Sequence, residues 1–574
     1  MVAVLSKFDR SFLGSDEDFT IIGSGEIGGK AHGLAAIRRS IAEGFPPDRF
    51  PDFAVGIPRS TVIATDCFDV FMKINNLYDF LRADDYTDER IAMEFQKADL
   101  PAFLVGDLLS IVKATCQPLA VRSSSLLEDA KHEPFAGIYE TKMIPNNQHD
   151  EKTRFTRLIE AIKFVYASTF FRAAREYRLG TGHALEDEKM AVLIQEVVGR
   201  RHTDRFYPDI SGVGRSYNFY CYGHARPDDG VVNLALGLGK TIVDGGVSWT
   251  YCPRYPQTQP PYVSFDQLMK ESQNDFWAVN MGPVPSYDPI EETEYLVRAD
   301  LRAAEDDNTL KLLASTYDAP NNRLEMGVFG TGPRVITFAP LLVGRMLPLN
   351  EVVKALLELS ETQSGSEVEI EFAVTLEPDG PARFAFLQVR PMVVSHDKVE
   401  VSDEELRAPE TLVAATSALG NGVNDKIDHV VYLKPDVFEQ KNTRKIVGEL
   451  SEVNAFLREA GRHYLLIGFG RWGSTDPWLG IPVTWGQIGN ARAIVEVMLP
   501  GMYIDLSQGS HFFHNLNGFQ VSYFSLHAHE RPVDWAALDA SDALKETTHV
   551  RCVKLPAPLH IKVDGRTGRG VIHR

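Results

Sequence analysis

An arginine released at the end of an apolar run, with three serines behind it, calls for an anion. The stretch PLAVRSSSLLEDA puts Arg122 in that place, ahead of Ser123, Ser124 and Ser125. A guanidinium presents planar, paired donors that fit phosphate or carboxylate oxygens. From this stretch alone, a phosphate and a plain carboxylate partner are equally good readings. A second set of groups converges later. SEVEIEFAVTLEPDGPARFAFLQVRP alternates, so Glu367, Glu369 and Glu371 share one strand face, with Val368, Ile370 and Phe372 on the other. Asp379-Gly380 is a turn signal. A hairpin symmetric about it sets Glu371 opposite Gln388 and Glu369 opposite Arg390, on one face. Carboxylate oxygens of this kind suit Mg²⁺, which bridges nucleotide phosphates. A solvated Glu–Arg pair is the plainer reading, and such pairs contribute little. The apolar runs flanking these residues favour a site.

Three further stretches carry weaker signals. In GSGEIGGKAHGLAAI, Gly28 and Gly29 allow a tight turn with open N–H groups, and Lys30 starts a helix. A helix N-terminus favours phosphate, but the spacing is not GxxxxGK[ST], and a surface turn would look the same. KMAVLIQEVVG reads as a buried strand interrupted by Gln195 and Glu196, with Val198 beyond. An adenine edge needs a donor–acceptor pair at the end of an apolar slot; a strand end meeting water needs the same residues. NLALGLGKTIVDGG, with Lys240 and Asp244, is a loop that either approaches a ligand or packs closely.

The elements positioning these groups belong to a chain of 574 residues, long enough for about three or four units. A net charge of -19 argues against a general nucleic-acid binder. Five scattered cysteines, with no CxxC, predict neither a disulfide framework nor a structural zinc site. The start shows no signal peptide, and no apolar run is long enough for a membrane span. The expectation is a cytoplasmic protein. Residues 1–115 mix strand-like and helical pieces, and 116–395 form a longer block rich in short strands. The charged stretch at 396–420 reads as a linker. Residues 421–574 alternate strand and helix, including a helix expected over GQIGNARAIVEVM, and predict a separate α/β domain.

In their order, GGKAHGL, VRSSSLLEDA, FAGIYET, IQEVV, SGV, LGLGKTIVDGG, IEF and QVRP resemble the nucleotide-binding domain of the phosphoenolpyruvate synthase and pyruvate phosphate dikinase family, over about residues 18–395. The resemblance implies an α/β (α+β) ATP-grasp fold whose two lobes, 1–115 and 116–395, clamp ATP and Mg²⁺. It implies that Lys30, Arg122 and Arg390 hold phosphates, with Gly28, Gly29, Ser123, Thr141 and Lys240 beside them. Gln195, with Glu196 and Val198, then falls at the adenine. Glu371 is implied as the magnesium ligand, with Gln388 near the metal and Glu369 grouped with them.

In that family ATP loads a histidine on a swivelling carrier, marked by a TSHAA-like run and then GIPAV. No such ordered run is present, and 175 residues are too few for a phosphoenolpyruvate-binding barrel. GSHFFH places His511 and His514 three residues apart. His511 is a candidate phosphoryl acceptor; histidines packed among aromatics are the favoured reading. Arg471, Trp472 and Asp476 are candidates for an acceptor pocket. The leading expectation is an ATP-dependent phosphotransferase acting on a histidine or a small molecule. The alternatives are an ATP-sensing scaffold, one subunit of a split dikinase with its phosphohistidine carrier on another chain, and a ligase forming acyl phosphates. Neither the acceptor nor the oligomeric state is legible.

Overall fold

The computed structural model describes residues 5–10, 18–126, 128, 137–181, 184–219, 221–259, 264–270, 272–283, 285–394, 399–474, 480–498, 511–527 and 533–574. Asp476 lies outside them. His511 and His514 lie in the helix His511–Gly518, but their side chains are not among those described.

Two six-stranded sheets carry the N-terminal two-thirds. The first runs Ser6–Lys7, Phe19–Ile22, Ser60–Ile63, Met190–Glu196, Leu119–Ser125, Thr141–Ile144. The second runs Trp249–Tyr251, Val231–Ala235, Ile210–Arg215, Val368–Thr375, Ala382–Pro391, Phe53–Gly56. The first sheet takes strands from both sides of residue 115, and Phe53–Gly56 crosses into the second. The lobe boundary expected at 115/116 therefore does not separate the sheets. Strand partners are chosen by long-range packing and burial, which a composition shift along the chain does not report.

The helix Gly28–Gly44 ties the two sheets together. Ala31, Leu34, Ala35, Ile37 and Ile41 form its buried stripe, at helical spacing. Its first turn docks on the first sheet, where Ala31 N donates to Ser124 Oγ at 3.0 Å. Its second turn lies against the second sheet so closely that a Cβ on Gly33 would come 2.9 Å from the Val389 carbonyl oxygen. Behind the second sheet, Val352, Val353 and Leu356 of the helix Leu349–Ser364 share a core with Ile370 and Phe372.

A nine-stranded sheet forms the C-terminal domain. Its centre is parallel: Gly422–Leu433, Tyr464–Phe469, Ala491–Val497 and Ser522–Leu526. The helix Thr443–Glu459 makes the first crossover. Strands Thr411–Ala415 and Ser417–Leu419 fall inside the stretch expected as linker. The helix expected over GQIGNARAIVEVM is instead a single turn, Trp485–Ile488, followed by the strand Ala491–Val497. Two parallel neighbours claim this β-branched segment, and that outweighs its local helical pattern. One face of the sheet has its own core, with Leu412, Ile427, Tyr432, Val495 and Phe524. The other face shares a core with the first lobe, uniting Trp472, Trp485 and Phe513 with Phe68 and Tyr166. Among the described residues no helix is long and apolar enough to cross a membrane, and the five cysteines are free.

Candidate functional site

Arg122 bridges the two sheets. It leaves the first sheet directly opposite Thr141 and Leu193. Its Nη1 donates to Gln195 Oε1 at 3.3 Å, in the same sheet, and to the Leu387 carbonyl at 3.1 Å, in the other. Its Nη2 donates to Gln388 Oε1 at 2.7 Å and lies 3.5 Å from Glu371 Oε2. The Arg122 side chain is 13% exposed.

The closing hairpin sets Glu371 opposite Gln388 and Glu369 opposite Arg390, as the alternation predicts. The symmetry then breaks at a register shift between Glu371 and Phe372, and Phe372 meets Phe386. A bulge here turns the strand beside the paired polar groups. The two carboxylates have different surroundings. Glu371 lies between Arg122 and Arg390 at 3.5 Å each and is 15% exposed. Glu369 is 2% exposed and gripped from both sides, Oε1 by Arg390 and Oε2 by Arg215. Both of its oxygens are engaged by guanidinium groups, whereas the Glu371 side chain keeps some exposure.

Lys30 enters from the helix start. Its Nζ donates to Ser123 Oγ at 3.0 Å and pairs with Glu128 at 2.5 Å. Gly28 makes this approach possible. Its φ is +73°, and a Cβ would stand 1.7 Å from the Ser124 carbonyl oxygen. Only glycine tolerates both conditions.

Other expected residues are placed differently. Gln195 is buried, accepting from Arg122 and donating to Ser60 Oγ at 3.1 Å, so its amide is engaged in orienting the arginine. The Glu196 side chain lines a pocket with Arg59, Ile111 and Ile194, on the sheet face opposite Gln195. Val198 is half-buried just past the strand end. Lys240 is not in the Arg122 cluster: Asp244 at 3.0 Å and Glu292 at 2.6 Å hold it, which raises its pKa further. Burial, with Glu292 next, pushes the neighbouring Glu140 carboxyl up to about 8. Arg471 of the C-terminal domain reaches this region, where its Nη1 donates to the Gly245 carbonyl at 3.1 Å. Sequence reasoning missed Glu128, Arg215 and Glu140. Glu128 stands beside the quoted serines, but nothing local announces its pairing across to Lys30.

Glu188, 1% exposed, is a further buried acid, lifted to about 7 chiefly by burial, with Glu128 adding. Its ordinary value is about 4.3. The folded chain therefore holds this proton to higher pH than the unfolded chain does. The resulting stability is complete below about pH 4.3 and is lost as pH rises through about 7. Glu188→Gln is expected to flatten the fall in melting temperature over that window. Parallel curves for variant and wild type would contradict this.

Among the described residues no three His, Cys, Asp or Glu side chains are grouped to hold a metal alone. One carboxylate and one amide fit a metal that arrives on phosphate oxygens, as Mg²⁺ does. Cations and such a pair at the meeting of two sheets define a two-lobed α/β domain suited to a phosphate-rich ligand. Comparison with known proteins narrows this class. The family model for the pyruvate phosphate dikinase AMP/ATP-binding domain matches residues 24–410, and the chain belongs to that family. It is similar to a phosphoenolpyruvate synthase of Aeropyrum pernix, 22% identical over 407 residues. The match covers 67% of this chain and 42% of the relative, so the chain spans less than half of that protein.

Proposed function

We propose that the chain binds Mg-ATP at the seam between the two sheets, in the ATP-grasp manner, and transfers a phosphoryl group from it, as a dikinase-type phosphotransferase. The observation that carries this is Arg122, whose single guanidinium gathers Gln195 from one sheet and Gln388, Glu371 and the Leu387 carbonyl from the other. Phosphoryl transfer asks mainly for positioning and charge neutralisation. In this reading Lys30, Arg122 and Arg390 receive phosphate oxygens, beside Ser123, Thr141 and the N–H groups of Gly28 and Gly29. Glu371 and Gln388 hold magnesium. Magnesium held there would supply neutralisation of the phosphate charge. Gln195 keeps Arg122 aimed, and the backbone near Val198 meets the adenine. The acceptor is a histidine or a small molecule, on the C-terminal domain or on another chain.

A second reading, an ATP sensor, has one observation in its favour. Arg471 and Phe513 of the C-terminal domain touch the second lobe at Gly245 and Arg215, so nucleotide-dependent lobe movement would reach that domain. The test uses purified chain, Mg²⁺ and ATP labelled separately at the β and γ phosphates. AMP or ADP release, with acid-labile, base-stable label on the protein, supports phosphotransfer through histidine. Loss of that label in His511→Ala assigns the carrier. Tight ATP binding with neither turnover nor label sinks the self-contained enzyme and leaves the sensor or a carrier on another chain.

A further inference from the structure

Two rows of side chains cross the cleft face of the second sheet. In one, Val213, Glu371 and Gln388 stand opposite one another on three adjacent strands. Two residues along, the row is Arg215, Glu369, Arg390. The nucleotide reading uses the first row and Arg390, and gives Arg215 no task.

Arg215 is a costly group to leave idle. It is 1% exposed, and a buried charge needs compensation. A guanidinium has five donors. Arg215 faces one carboxylate, Glu369, which Arg390 already holds, and its Nη1 has no hydrogen-bond partner among the described residues. Arg122, Arg215 and Arg390 are three guanidinium groups tied to two carboxylates, Glu369 and Glu371. Burial, aggravated by Arg390, also draws the Arg215 guanidinium below its ordinary value.

The C-terminal domain closes the Arg215 end of the row. The guanidinium carbon of Arg215 lies 5.1 Å from the ring centre of Phe513, carried on the helix His511–Gly518. Phe219 meets the same ring edge-on at 5.6 Å. A ring over a guanidinium covers its face and leaves the N–H edge for an anion in its plane.

We propose that Arg215 is a ligand of the terminal phosphate of the bound nucleotide, and that the Phe513 helix walls that end of the site. This rests on the Mg-ATP reading above. The C-terminal domain then supplies the surface along which a phosphoryl acceptor approaches.

The test is calorimetric binding of ATP, ADP and AMP with Mg²⁺ to wild type, Arg215→Met, Arg215→Lys and Phe513→Leu. Arg215→Met is expected to weaken ATP about 30-fold, the scale of a lost charge-assisted hydrogen bond, and AMP less than about threefold. Arg215→Lys recovers part of the loss. Phe513→Leu gives a smaller loss of the same ATP-only kind. Equal losses for ATP and AMP overturn the inference and make Arg215 a support for Glu369; unchanged ATP binding overturns it as well. The comparison of nucleotides within one folded variant keeps the result independent of stability. Wild-type chain that binds none of the three overturns the Mg-ATP reading itself, and this inference with it.

Discussion

Arg122→Met is expected to lower ATP consumption on the order of 10³-fold while the chain stays folded, the scale found when a preorganised charge-stabilising group is removed. Arg122 spans two sheets, and its four contacts fall on residues from both. Its loss removes a phosphate-binding charge and also the group that sets the spacing of Gln195 and Gln388. Glu371 keeps Arg390 at 3.5 Å as a second partner, so the loss of Arg122 does not leave a buried carboxylate unpaired. Arg122→Lys is not a conservative control, since an ammonium cannot reach both sheets with paired, planar donors. Initial rates of ATP loss, read beside the melting temperature, check the prediction. A rate within tenfold of wild type, with an unchanged melting temperature, would remove Arg122 from the phosphate site.

Gly28→Ala is expected to cost about 4 kcal/mol, combining a left-handed backbone with a steric clash. The added Cβ would meet the Ser124 carbonyl at 1.7 Å, and that contact is with backbone inside a buried strand. Neither partner can swing aside as a flexible side chain would. Relief requires the helix start to lift from Ser124, taking Ala31 N and Lys30 Nζ with it. Stability and nucleotide affinity should therefore fall together. Gly380→Ala is the matched control: it lies at the hairpin turn, and a Cβ there meets nothing within 4 Å. The melting midpoint of Gly28→Ala should drop by roughly 5–10 °C, while that of Gly380→Ala stays put. Equal midpoints would show that the helix start is not pinned as described.

Much of the candidate site's hairpin was legible because it depends on short-range rules. Alternation along 367–391 put Glu369 and Glu371 on one face, and a turn at Asp379-Gly380 gave their partners. The structure has these pairs in register. The bulge after Glu371 was not legible, since a one-residue slip depends on how Phe372 and Phe386 pack and not on either segment alone. The lobe boundary failed for a related reason. Ser60–Ile63 pairs with Met190–Glu196 from the other side of residue 115, and strand pairing at that distance leaves no local mark.

The kinds of groups and their order are written in the chain: a glycine pair before Lys30, a lone arginine at a strand end, and paired acids answered by an amide and a guanidinium. Those are covalent facts and periodicities of two residues. Which acid is available is set by folding. Glu369 and Glu371 are two residues apart on one strand face and look alike in sequence. Arg215, from a strand 154 residues earlier in the chain, closes on Glu369 and leaves Glu371 half-open between Arg122 and Arg390. A carboxylate's role is set by the charges and water around it. Those surroundings are assembled from distant segments, and that is why folding, and not spacing, separates the structural acid from the candidate metal ligand.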